Sequence, residues 1–75
     1  MPTAFVLMKC DDGAEKRIMR NLVRSDNISE VQHTIGHYDL IAKISSPTHD
    51  DVEEMIRKIH RDDQVRASKV LRMNE

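Results

Sequence analysis

Apolar residues fall along this 75-residue chain in runs whose spacing changes from one run to the next. Thr3 to Cys10 holds the unbroken stretch Ala4-Phe5-Val6-Leu7-Met8, Ile28 to Ile35 alternates, Tyr38 to Ser45 carries Leu40-Ile41-Ala42, and Gln64 to Met73 again has the pattern of extended chain. Between them, Asp12 to Arg24 and Thr48 to His60 place apolar residues three and four apart, the period of a helix with one buried face. The first such stripe is Ala14, Ile18 and Leu22, flanked by Met19; the second is Val52, Met55, Ile56 and Ile59. The predicted order is β-α-β-β-α-β, an α+β ferredoxin-like fold: a four-stranded antiparallel sheet with two helices on one face.

Polar residues at the helix ends fit this assignment. Thr48 caps the second helix and Asp51, three residues on, completes a capping-box pattern, with Asp50, Glu53 and Glu54 near the positive end of the helix dipole. Arg57, Lys58, His60 and Arg61 suit the other end. For the first helix the expected cap is Asp12, with Glu15 three residues later. Met8, Met19, Met55 and Met73 fall at core-facing spacings and are expected to fill gaps in the interior.

Two strand runs are apolar at consecutive positions, and consecutive strand residues point to opposite faces of a sheet. Two helices cover only one face. The other is expected to meet the same face of a second copy, giving at least a homodimer with a barrel-like α/β assembly. Each Leu, Ile, Val or Phe covered in this way contributes about 1.5–3 kcal/mol, which matters in a domain with so small an interior.

The length is that of one domain, 1–75, with no room for separate catalytic and recognition modules. Twelve basic and 13 acidic residues are intermixed for a net charge of −1, so no basic stripe offers itself to a phosphate backbone and direct nucleic-acid binding is not expected. Cys10 is the single cysteine, which excludes an internal disulfide. No apolar run approaches the ~20 residues of a membrane span, and the opening residues lack the features of a signal peptide. A soluble cytoplasmic protein is expected.

At the midpoint of the chain stands Gly36-His37-Tyr38-Asp39-Leu40-Ile41-Ala42, a turn glycine followed by an aromatic, a carboxylate and an apolar run. Together with Phe5-Val6-Leu7-Met8-Lys9-Cys10, the helix after it and the closing Val65-Arg66 strand, this Gly-x-Tyr-Asp-Leu turn resembles the C-terminal effector-binding (RAM) domain of Lrp/AsnC-type regulators over essentially the whole chain. The resemblance implies a homodimer of packed sheets, extended to an octamer or another ring of dimers, with small amino-acid effectors bound where dimers meet. Such regulators carry an N-terminal helix-turn-helix domain, whereas two residues precede the first strand here. The expectation is therefore a stand-alone sensing domain that signals through its assembly or joins a full-length Lrp/AsnC regulator.

The expected effector site is Gly36, Tyr38, Asp39 and Ser68. Gly36 permits unusual backbone angles and leaves amides accessible to a ligand carboxylate, although any hairpin glycine has the same properties. Asp39 can accept from an α-amino group, or can instead tie the hairpin by bonding backbone amides. Tyr38 offers a ring and a hydroxyl, with packing the commoner use of the ring. The resemblance places Ser68 facing the effector, and puts Val70 where a second hydroxyl is usual. No cofactor is expected. Cys10, His33 and His37 lack the tight spacing of metal ligands, since four strand residues span about 13 Å. Two other classes remain open: an assembly-only module, which has no need of Asp39, and a small dimeric enzyme, for which His33 is the nearest catalytic candidate in a dry pocket.

Overall fold

A computed structural model describes residues 1–73. The elements follow the order β1 (Thr3–Cys10), α1 (Glu15–Val23), β2 (Ile28–His33), β3 (Leu40–Ser45), α2 (His49–His60) and β4 (Val65–Arg72). All neighbouring strands are antiparallel, in the spatial order β2-β3-β1-β4. This is the ferredoxin-like arrangement the periodicity predicts.

The core lies between the sheet and the helices. Ala4, Val6, Met8 and Cys10 of β1, with Leu40, Ala42 and Ile44 of β3, point at Ile18 and Leu22 of α1 and at Val52, Met55, Ile56 and Ile59 of α2, and all are buried. Register explains the selection. Val6 lies opposite Ala42 and Val70, so one alternate set of residues from adjacent strands meets the helices and the other set does not. Phe5, Leu7 and Ile41 belong to that other set and stay partly exposed.

Element boundaries differ from expectation where a turn overrides the pattern. Helix α1 starts at Glu15 and not at Asp12, because Gly13 sits at φ +84° and a turn from Asp11 to Ala14 closes through Ala14 N–H to Asp11 O at 3.0 Å. Ala14 is the N-cap and has no side-chain cap bond; Asp12 is exposed and plays no capping part. Thr48 does cap α2, its Oγ1 accepting from Asp51 N–H at 3.1 Å. The expected reciprocal bond runs through Ser46, fully buried, which accepts from Thr48 N–H and donates to Asp51 Oδ2. Met8 and Met55 are core residues and Met19 packs against the core, but Met73 is 50% exposed beside the start of α2 and does not fill the interior.

Candidate functional site

Strands β2 and β3 are joined by a loop that begins two residues earlier and ends two residues later than the strand patterns suggest. Thr34 closes it, donating N–H to Asp39 O at 2.9 Å and Oγ1–H to Tyr38 O at 2.6 Å. Four residues, Ile35 to Tyr38, therefore stand outside the ladder. Gly36 has φ +115°, a backbone conformation that L side chains rarely adopt, and an added Cβ there would meet nothing within 4 Å. A substitution at Gly36 is thus opposed by backbone strain and not by crowding.

Asp39 anchors this loop to β1 twice. Its N–H donates to Met8 O at 2.8 Å, and its Oδ2 accepts from Cys10 N–H at 2.8 Å, beside the β-bulge at Lys9 and Cys10. The structural use of Asp39 is therefore present. Its second carboxylate oxygen bonds no described residue. Tyr38 is half-buried, its ring edge-on to that of His37 at 5.0 Å between centroids, and its hydroxyl has no hydrogen bond among the described residues. Lys9 Nζ reaches His37 O at 3.5 Å.

Beside Asp39 a cleft of about 370 Å³ is lined by Lys9, Cys10, Asp11, Asp12 and Arg66. Arg66 Nε donates to Asp11 Oδ1 across it. Burial, and then the neighbouring Asp39 carboxylate, push the Cys10 thiol up to about 11, so Cys10 is a neutral packing residue at ordinary pH.

Ser68 stands apart from the loop. It lies opposite Met8 on the β4 side of β1, whereas Asp39 bonds Met8 from the β3 side, which puts two strand spacings, about 10 Å, between them. Its side chain is on the helix-facing side of the sheet, half-buried, in line with Val70, which packs against the core. Gly36, Tyr38 and Asp39 are thus gathered into one structure within a single chain, and Ser68 is not.

Thr34, which locks the loop, and Lys9, which braces it, were not anticipated. Thr34 has a sequence signal of sorts: a hydroxyl residue four positions before Tyr38 and two before a glycine suits a side-chain-to-backbone bond across a tight loop. The Lys9 contact depends on register alone. His33 is exposed at the end of the edge strand β2 and does not occupy a dry pocket. Among the described residues no three His, Cys, Asp or Glu side chains converge as a metal site. No helix among them is long and apolar enough to cross a membrane.

A βαββαβ sheet with a Gly-x-Tyr-Asp loop pinned to its first strand places the chain in the class of small α+β domains of the ferredoxin-like fold. Residues 3–72 match the Lrp/AsnC ligand binding domain, and the chain belongs to that family. It is 32% identical over 53 residues to the HTH-type transcriptional regulator FL11 of Pyrococcus abyssi, a match covering 71% of this chain and 35% of that protein. The chain thus matches only about a third of the length of this curated relative. Among solved structures, FFRP-DM1 superposes with a TM-score of 0.92 at 29% identity, covering 99% of this chain and 100% of that one. The hypothetical protein PHS023 of Pyrococcus horikoshii gives 0.92 at 29% identity, covering 100% and 92%.

Proposed function

We propose that this domain is a non-enzymatic cytoplasmic sensor of a small amino acid, bound at the Gly36, Tyr38 and Asp39 loop, which reports on that ligand through its association with further copies or with a full-length Lrp/AsnC regulator. The observation that carries the reading is the state of Asp39. One carboxylate oxygen fixes the loop on Cys10 N–H while the other is uncommitted, so the residue is held in place and still able to accept from an ammonium group. Lys9 lines the same cleft and supplies positive charge for the ligand's carboxylate, Arg66 being paired there with Asp11. Ser68, two strand spacings from Asp39, contributes only when a second copy or a ligand spans the gap.

The association half of the reading is supported by the sheet face away from the helices. Phe5, Leu7 and Ile41 lie there half-exposed with Leu71, which is 45% exposed, and adjacent-strand register aligns Phe5 with Leu71 and Leu7 with Ile41. A second copy placing its own face against these four residues removes them from water, and closure into an octamer or another ring follows from how such dimers meet at their loops.

An assembly-only reading has one observation in its favour: the Asp39 bond to Cys10 N–H gives that carboxylate a structural purpose without any ligand. Thermal shift and light scattering across a panel of free amino acids separate the two. The sensing reading expects at least one amino acid to raise the melting temperature or change the particle mass, with the response lost in Asp39→Asn while the starting assembly persists. Flat curves at millimolar concentration of every amino acid would leave assembly alone.

A further inference from the structure

The helical layer does not close completely over the core. Between α1 and α2 a cleft of about 250 Å³ opens whose floor is Ile18, Leu22, Met55 and Ile59, each no more than 7% exposed. It shares no residue with the Thr34 to Asp39 loop or with the open sheet face. At about 30 Å³ per water-sized group, such a volume suits an occupant of roughly eight non-hydrogen atoms.

The rim carries polar groups that the fold leaves unused. Neither the Lys58 ammonium nor the Asn21 side-chain amide bonds any described residue, although both line the cleft. Ser25 Oγ donates to Met55 Sδ at 3.5 Å, and a thioether is a weak acceptor, so this hydroxyl gains by meeting a better one. Asp62 is already neutralised: its Oδ1 accepts from Arg17 Nη2 at 2.7 Å and from Gln64 N–H at 3.0 Å. Counting these charges, one uncompensated cation, Lys58, faces an apolar floor.

A single positive charge over a hydrocarbon surface is complemented by a monoanion with an aliphatic tail; a zwitterion would bring an ammonium group for which no free charge remains. We propose that the cleft between the helices binds a small aliphatic monocarboxylate, its tail against Leu22, Met55 and Ile59 and its carboxylate at Lys58, with the Asn21 amide and Ser25 hydroxyl as further donors. The site is separate from the amino-acid site proposed at Asp39, and neither depends on the other.

Amide proton–nitrogen NMR of the full chain, titrated with 4-methylpentanoate, its neutral amide and leucine, tests this directly. The expected result is saturable movement of the Asn21, Ser25, Lys58 and Asp62 resonances with the carboxylate, and at least about fivefold weaker binding of the neutral amide and of leucine at these resonances, as befits loss of a charged hydrogen bond. Lys58→Gln should weaken carboxylate binding about tenfold and Lys58→Arg should retain it; position 58 is exposed, so both variants leave the core intact. The proposal is overturned by shifts that never saturate, by equal binding of the amide or of leucine, or by movement confined to the Thr34 to Asp39 loop or the Phe5 and Ile41 face. Leucine acting at Thr34 to Asp39 alone would bear on the Asp39 site and leave the cleft result to the carboxylate titration.

Discussion

The two faces of the sheet are built from similar residues and differ in what covers them. On the helix side Ala4, Val6 and Met8 of β1 and Leu40, Ala42 and Ile44 of β3 have no exposed surface at all. On the other side Phe5, Leu7 and Ile41 alternate with them along the same strands, yet remain half-exposed, and Lys43 stretches its ammonium over the Phe5 ring at 5.9 Å. The lysine stem shields part of the apolar surface while its charge stays wet. One face is therefore finished within the chain, and the other is left open to water.

The sharpest way to break this contrast is to truncate matched residues on either face. Met8→Ala should cost about 2–5 kcal/mol in urea unfolding, because the cavity lies in a closed core. Leu7→Ala should cost less than about 1.5 kcal/mol in dilute chain and approach the Met8 value only at concentrations where copies associate. Equal costs at all concentrations would mean that the open face needs no second copy.

The next test moves to the edge where the faces meet. Asp39→Ala strips the Cys10 N–H of its partner and should cost about 1–3 kcal/mol, with faster hydrogen exchange at Cys10 and in the Thr34 to Asp39 loop. Thr34→Val should loosen the same loop without touching β1, and exchange confined to residues 34–39 would distinguish the two.

The helix face also has a titratable signature. The folded-state pKa of the Cys10 thiol, raised from an ordinary 9.0 to about 11, means that folding favours the neutral form. That contribution is complete below pH 9 and is lost as pH rises from 9 towards 11. Denaturation midpoints of the native chain should therefore fall more steeply over that interval than those of Cys10→Ala.

The smallest effect comes from two ion pairs at the helical layer, one holding β4 to α2 and one joining α1 to the turn between α2 and β4. Arg72 lies opposite Ala4 and clasps Glu53 through two bonds of 2.8 and 2.9 Å, while Arg17 holds Asp62. Both carboxylates titrate below their ordinary values of 4.5 and 3.8, chiefly because of these hydrogen bonds to arginine. With folded pKa values depressed, their contribution is present above about pH 4.5 and disappears as acid protonates the folded carboxylates. Arg72→Met should flatten part of that acid slope, an effect held small by the exposure of the Glu53–Arg72 pair.

Much of this was legible in the residues. The helix stripes of α1 and α2, the cap at Thr48 and the alternation of β1 follow from spacing that only one periodicity satisfies. The start of α1 was not, because Asp12 has the chemistry of a cap and only the left-handed Gly13 beside it moves the helix to Glu15. The ends of β2 and β3 depart from the pattern for a similar reason: Ile35 and Tyr38 suit a strand, yet Thr34 bonds across to Tyr38 and Asp39 and lifts them out of the ladder.

The sequence by itself determined the order of elements, the two apolar faces and the cluster Gly36, Tyr38 and Asp39, since all three rest on neighbours within a few positions. Tertiary structure alone decided which face the helices cover, that Asp39 bonds Cys10 29 residues away, that Ser68 lies across β1 from it, and that a cleft opens beneath Lys58. Those outcomes depend on strand register and on the placement of two helices over one sheet, and a shift of one residue in register exchanges every side chain between faces without changing a letter of the sequence.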